Sequence, residues 1–312
     1  ADFHSPSMSS KTVAVIGATG LFGKSISLAL LKLGHTVIAV TRSVSDKAAI
    51  AAELEDAGAH IVEVPDQTDE VAMASVFREN HVDTVICAVN GAAIKAVEEH
   101  IINAAVKSGT VTRFCPDEFG VHTGAIPWGL AELFDDKKET LELLHKSGLQ
   151  WTAIFVGALF DYFLPSLKTG GGVVKTFGNR DAVFFANSLQ DIGMMIALAA
   201  VDERTVNKYV QFQVNSTTQR KNLEMVREIW PKHDLPERHL DEAELIRLMR
   251  DDKNNRFWFV VYAIYCLGRM NNLDFPDTIL GNEILPADYN ITSIRECLSN
   301  PSFVFPDGVS EN

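Results

Sequence analysis

The sequence predicts an α/β protein, a doubly wound parallel sheet over residues 9–156 followed by a smaller α+β substrate-binding domain over 157–312. Three observations predict it. Val13–Ile16 is a short, largely β-branched run, the type of a strand buried on both faces, and it stops at Gly17. Gly17, Gly20 and Gly23 then recur every third residue and lead into a helix-spaced apolar series, Leu21, Ile26, Leu28, Ala29, Leu30 and Leu33. Beyond these, strand-like runs alternate with helical stretches six times before Gly157, the rhythm of a parallel sheet with crossover helices.

The first unit is the most informative. Strand, glycine turn, helix and a second strand at Thr36–Val40 make one βαβ motif, which sets backbone N–H groups and a helix N-terminus against a phosphate. Gly17 permits the tight turn, Gly20 the close approach of a pyrophosphate, and Gly23 the packing of helix on strand. The spacing is G-x-x-G-x-x-G, a variant of the common dinucleotide fingerprint. Gly23-Lys24-Ser25 imitates the end of a P-loop, but Ala18 stands where that motif needs its first glycine, which argues against nucleoside triphosphates. After the second strand comes Thr41-Arg42-Ser43, with Lys47 a turn away, where an NAD site carries an acid for the ribose hydroxyls. A guanidinium fork suits a 2′-phosphate, so the reading is a Rossmann-type domain for NADP(H).

The remaining elements follow in order. Ser45–Ala57 reads as a helix closed by Gly58, Ile61–Val64 as a third strand, and Asp66–Asp69 as a polar turn that could border an adenine. Glu70–Asn80 is helical. Asp83–Val89 is a fourth buried strand running into Asn90-Gly91, and such carboxyl ends line the ligand crevice of open parallel sheets. Ala92–Ser108 is a helix, Thr110–Cys115 a fifth strand leading into Pro116-Asp-Glu-Phe-Gly120, and a loop with His122, Pro127 and Trp128 follows. Leu130–Ser147 is a helix and Trp151–Val156 the sixth strand. Past Gly157 the rhythm changes: a Gly170–Gly172 loop, strands at Ala182–Phe185 and Tyr209–Val214, and helices at Ser188–Ala200, Arg220–Trp230, Asp241–Arg250 and Asn255–Leu267.

Composition narrows the class. A net charge of −13 over 312 residues argues against nonspecific nucleic-acid binding and anionic membranes. The longest apolar run, Phe257–Leu267, is too short to cross a bilayer. Ala1–Ser10 lacks a signal-peptide pattern and Met8 is a reasonable native start. Cys87, Cys115, Cys266 and Cys297 show no C-x-x-C pairing, as expected of free thiols in a reducing compartment. The expectation is a cytoplasmic protein, and a monomer or a homodimer would both fit.

Hydride chemistry calls for a group that moves a proton. The Tyr-x-x-x-Lys device of short-chain dehydrogenases has no place here, because the first tyrosine is Tyr162. Lys137 remains, read as lying on the apolar face of its helix, where an amine becomes a usable acid–base group; Lys138 beside it reads as a surface charge. His122 is more simply a structural or solvated histidine, and Asp117 and Glu118 brace a turn. His233 and His239 lack metal-ligand spacing, so no metal is expected. Phe155, Leu159, Phe160, Tyr162 and Phe163 are core or the wall of an aromatic pocket.

GATGLFGKS, Thr41-Arg42-Ser43, Arg113-Phe-Cys-Pro-Asp-Glu-Phe-Gly120 and Phe134-x-x-Lys137 resemble the isoflavone reductase-like branch of the NmrA-type atypical short-chain dehydrogenases. So do Asp161-Tyr-Phe-Leu-Pro165, Asp191-Ile-Gly193 and Asn207-Lys208, so that the likeness spans nearly the whole chain. The resemblance implies that Gly17, Thr19, Gly20, Phe22, Gly23 and Arg42 bind NADPH and that Lys137 serves catalysis. With their neighbours, the expected cofactor contacts are Gly17, Thr19, Gly20, Leu21, Phe22, Gly23, Arg42, Lys47, Ala88, Val89, Asn90, Lys137 and Phe155. Phe119, His122, Gly157, Phe160 and Tyr162 are the expected substrate wall. Two departures stand out: Asp117 replaces the family's usual serine, and Phe155-Val156-Gly157 replaces polar residues after the sixth strand. The expectation is an NADPH-dependent reductase of an aromatic or polyketide-like molecule. The alternatives are an isomerase or cyclase of the same family, or an NADP-sensing regulator without catalysis.

Overall fold

Alternate residues of the first strand face two different cores, and this sets the three-layer architecture. In β1 (Thr12–Ile16), Val13 and Val15 join a cluster with Ile26 and Leu30 of α1 (Leu21–Lys32), while Ala14 and Ile16 point to the opposite cluster with Phe77, Ile101 and Ile102. A strand buried on both sides needs helices on both, and the chain supplies them. The computed structural model describes residues 9–89, 94–160, 174–229, 231 and 237–300.

The first half continues through β2 (Thr36–Thr41), α2 (Ala48–Asp56), β3 (His60–Glu63), α3 (Glu70–Glu79), β4 (Thr84–Cys87), α4 (Ile94–Ser108), β5 (Arg113–Cys115), α5 (Glu132–Lys146) and β6 (Gln150–Phe155). All six strands and five helices fall where the sequence places them. β1 pairs in parallel with both β2 and β4, so the chain reverses its direction of travel across the sheet at that point. Helix ends are set by local chemistry: Asp69 caps α3 through the Val71 and Ala72 N–H groups, both at 3.0 Å.

The second half comprises β7 (Ala158–Leu159), β8 (Val174–Phe177), β9 (Phe184–Asn187), α6 (Leu189–Val201), β10 (Lys208–Gln211), β11 (Ser216–Thr217), α7 (Gln219–Ile229), β12 (Glu237–Leu240), α8 (Glu242–Asp251), α9 (Arg256–Tyr265), β13 (Thr278–Leu280) and α10 (Ile294–Ser299). The main sheet does not stop at residue 156, where the sequence suggested a boundary. Its order is β13-β10-β6-β5-β4-β1-β2-β3, eight strands, with β10 and β13 added in parallel beside β6. The strand expected at Tyr209–Val214 is therefore part of the main sheet. Helix α6 also returns to it, packing on α1 at Gly193, where a Cβ would come within 2.7 Å of the Ser25 backbone. Ser25 Oγ donates to the Leu189 carbonyl at 2.7 Å and locks the crossing.

What remains apart is a small aromatic core of Phe160, Phe177, Phe184, Trp258 and Tyr265, surrounded by α7 to α10 and the short β8–β12 and β7–β9–β11 ladders. No helix among the described residues is long and apolar enough to cross a membrane.

Candidate active site

Because the six strands run parallel, the turns that follow β1, β2, β4, β5 and β6 emerge at one edge of the sheet; the expected site residues sit on those turns, on the flanking strand and helix ends, or, for Lys137, on α5. The glycines meet their assigned roles. Gly17 has φ +76°, and a Cβ there would overlap the Ala88 carbonyl at the end of β4. A Cβ on Gly23 would overlap the Gly17 carbonyl, so the helix can start this close to the strand only without a side chain. Gly20 is exposed and caps α1 with no side-chain hydrogen bond, which leaves the first N–H groups of Leu21, Phe22 and Gly23 to an external acceptor. Thr19 Oγ1 lies 2.9 Å from Thr41 Oγ1 and ties the loop to β2. Lys24 pairs with Glu53 at 2.7 Å, away from the turn, which removes the P-loop reading.

Arg42 and Lys47 are exposed, and neither side chain has an ion pair or hydrogen bond among the described residues. At the end of β3, Gln67 is buried with its amide nitrogen unpartnered. Ala88 and Val89 are half-buried at the end of β4, and Ala88 N–H donates to Ile16 O at 2.9 Å. A glycine cradle, free cations beyond β2 and an orphan polar atom beyond β3 form a set that fits a phosphorylated dinucleotide.

The turn after β5 is tight. Glu118 N–H donates to Pro116 O at 2.9 Å, Gly120 N–H donates to Glu118 O at 2.5 Å, and Phe119 adopts φ +30°, a strained value for a bulky residue. Phe119 bridges to Phe155 in β6 and stacks on Phe22 with centroids 6.2 Å apart, joining this turn to the glycine loop. Lys137 reaches into it from α5. Its Nζ donates to the carbonyls of Asp117 at 2.5 Å and Glu118 at 3.0 Å, and lies 3.8 Å from Asp117 Oδ1. The side chain is 11% exposed. Lys137 is thus not simply on an apolar face; carbonyl dipoles hold its ammonium group.

Other expectations change. Lys138, read as a surface charge, is buried: it bonds Asp135 Oδ1 at 3.1 Å and sits 4.3 Å from the Trp128 ring centroid. The ring face of Trp128 attracts the ammonium group, and Asp135 pairs with its charge. His122 does not line an open pocket. It is 1% exposed, stacked on Phe155 at 4.3 Å and flanked by Tyr209 and Phe275, and burial pushes its imidazole down to about 4. Phe155 and Phe160 are likewise core side chains, at 2% and 1% exposure, so any contact they make with a ligand is through backbone. Gly157 is half-buried with φ +82°, and a Cβ there would stand 2.5 Å from Phe185 O. Its role is close backbone approach. Asn90 and Tyr162 lie outside the described residues, as do the Gly170–Gly172 loop and His233.

Sequence reasoning missed Glu98. On α4 it looks like one more helix acid, yet it is 1% exposed and accepts the Asp117 N–H at 2.7 Å. Arg113 and Asp191, both in stretches that carry the family resemblance, are structural. Arg113 holds Thr152 at 2.6 Å and the Asp202 carbonyl at 2.9 Å, and Asp191 accepts from Tyr289 Oη at 2.9 Å and from Thr292 N at 3.0 Å. No cluster of metal ligands occurs among the described residues.

A family model described as the NmrA-like family matches residues 9–233. Among curated proteins the chain is similar to a phenylcoumaran benzylic ether reductase of Pinus taeda, 28% identical over 309 residues, covering 92% of this chain and 97% of that protein. It is also similar to a bifunctional pinoresinol-lariciresinol reductase of Linum corymbulosum, 26% identical, covering 93% and 97%. Among solved structures, leucoanthocyanidin reductase of Vitis vinifera in complex with NADPH superposes with a TM-score of 0.81 at 23% identity, covering 92% of this chain and 98% of that one. The structural likeness is one of fold.

Proposed function

The chain belongs to the NmrA-like family, and from that premise we propose that it is an NADPH-dependent reductase of a small aromatic molecule. The observation that carries this reading is Lys137, an ammonium held by two carbonyls at the carboxyl edge of the sheet, beside a turn that stacks on the glycine loop. The reductases of Pinus and Linum that it resembles support the reaction class.

Held by Gly17–Gly23, NADPH would supply a hydride to the substrate. The N–H groups of Leu21, Phe22 and Gly23 would take its pyrophosphate. Arg42 and Lys47 would take the 2′-phosphate, for which a free guanidinium is well shaped. Gln67 would offer its unpartnered amide to the adenine end. Lys137 Nζ has three protons, of which two go to the carbonyls of Asp117 and Glu118. The third is free for the oxygen on which negative charge develops, and proton transfer from a positioned group contributes about 10²–10⁴ in rate. Lys137 itself is only 11% exposed, which keeps that proton largely out of bulk water.

The same bonds favour one other reading. A lysine that satisfies two donors on backbone carbonyls also serves as a clamp, as an NADP-sensing regulator without catalysis would need. A panel of aromatic ketones, enones and benzylic ethers incubated with NADPH separates the two. The reductase reading expects NADPH oxidation with a reduced product for at least one member. Tight NADPH binding with no oxidation across the panel favours the regulator.

A further inference from the structure

Around the Lys137 ammonium the chain buries more negative groups than positive ones. Glu98 from α4 and Asp117 and Glu118 from the turn after β5 cluster around it: Lys137 Nζ bonds the Asp117 and Glu118 carbonyls and lies 3.8 Å from Asp117 Oδ1, and Glu98 holds the Asp117 N–H. Lys138 is close enough to act on Glu118 but is itself bonded to Asp135. The hydrogen bonds of these acids are few: Glu98 Oε1 accepts Asp117 N–H at 2.7 Å, the Cys87 thiol also bonds Glu98, and Glu118 Oε2 accepts Thr123 Oγ1–H at 2.7 Å. Three carboxylates cannot all stay charged beside one ammonium in a site this dry, because each further charge lacks a counter-ion. Burial raises all three acids, Asp117 to about 6, Glu118 to about 7 and Glu98, the deepest, to about 8. Asp117 is the member in reach of both neighbours. Its N–H is on Glu98, its Oδ1 is 3.8 Å from Lys137 Nζ, and its side chain keeps 14% exposure to solvent.

We propose that Glu98 and Asp117 hold one exchangeable proton between them beside Lys137 and return it to the Lys137 amine after each turnover. They act through that lysine, not on the substrate. The proposal rests on the reductase reading. When Lys137 has given its proton to the product oxygen, an O–H bond of the carboxyl pair breaks and an N–H bond forms at Nζ. Nothing is oxidised or reduced in this step. The pair, now fully ionised, regains its proton from water at the exposed side of Asp117.

The test is infrared spectroscopy of the full chain without cofactor, following the carbonyl stretch of protonated carboxyl groups from neutral to alkaline pH. Wild type should keep such a band at neutral pH, and Glu98→Gln and Asp117→Asn should each lose or shift it. Lys137→Met should raise the pH at which the band disappears by about one unit or more, since the neighbouring charge is gone. That variant keeps the idea testable if either carboxyl variant misfolds. A wild-type band absent at neutral pH, a band lost only in Glu118→Gln, or a midpoint indifferent to Lys137 would each overturn the proposal. Because this readout needs no cofactor, it is independent of whether NADPH is oxidised. Once a substrate turns over, Asp117→Asn should lower kcat about tenfold with KM little changed; an unchanged kcat would contradict the relay.

Discussion

At the scale of single residues, the site is governed by which charges are buried and what satisfies them. Lys137 and Lys138 are adjacent in sequence, yet one is held by carbonyls and the other by Asp135 under Trp128. Helical spacing singled out Lys137 but left Lys138 as a surface charge, because what buries both is brought across by the turn after β5 and the Trp128 loop. Glu98 was invisible for the same reason. His122 yields a direct prediction. Its pKa falls from 6.5 in the unfolded chain to about 4 in the fold, because burial disfavours the charged imidazole. The unfolded state therefore takes up the proton first. The stability from neutral His122 is complete above the unfolded value and lost as pH falls through that interval, by up to about 3 kcal/mol. Denaturant titrations of wild type and His122→Phe should diverge with pH below neutrality, the variant losing less; parallel curves would count against it. A second prediction concerns Arg42, whose replacement by alanine should weaken NADPH by about 1.5–3 kcal/mol while leaving NADH nearly unchanged, read by fluorescence titration.

Among the elements, the βαβ unit was legible because three glycines and a change of period mark it so clearly. Helix α5 was legible from its spacing and α6 from its Ser188 cap, whereas the Asp69 cap of α3, read as part of a polar turn, emerged only in the structure. In the second half the strands at Phe184–Asn187 and Lys208–Gln211 were legible, and the shortest ones were not. β7 and β11 have two residues each and β13 three, too few for a period of two to register. They exist because neighbouring strands offer open edges, which is a property of the assembled sheet. The α1–α6 crossing shows how a distant element supports the cofactor loop. Gly193→Leu should force the helices apart and cost about 1–3 kcal/mol in thermal or chemical unfolding. Gly23→Ala should be similarly destabilising and also reduce NADPH affinity, since its Cβ would overlap the carbonyl of Gly17. Loss of stability without loss of affinity would mean that the loop does not form the cradle.

For the whole molecule, the sequence located the sheet and the site edge but drew the boundary between halves too sharply. Periodicity reports which residues are buried, not which elements they are buried against, so β10, β13 and α6 read as parts of another unit while they complete the first. Both halves consequently brace the site: Leu189 holds α1 through Ser25, and Thr278 and Phe275 pack on His122 beyond the Asp117–Gly120 turn. NADPH binding should stabilise the chain globally, by about 2.7 kcal/mol when free cofactor is at a hundred times Kd, and a thermal shift with NADPH that NADH does not match would show it. The central claim is that Lys137 delivers the proton. Its most direct test compares wild type with Lys137→Ala for NADPH affinity and NADPH oxidation on the same active substrate. The account predicts that oxidation falls by about 10²-fold or more while cofactor affinity stays within a few-fold. Oxidation at the wild-type rate in Lys137→Ala would contradict it.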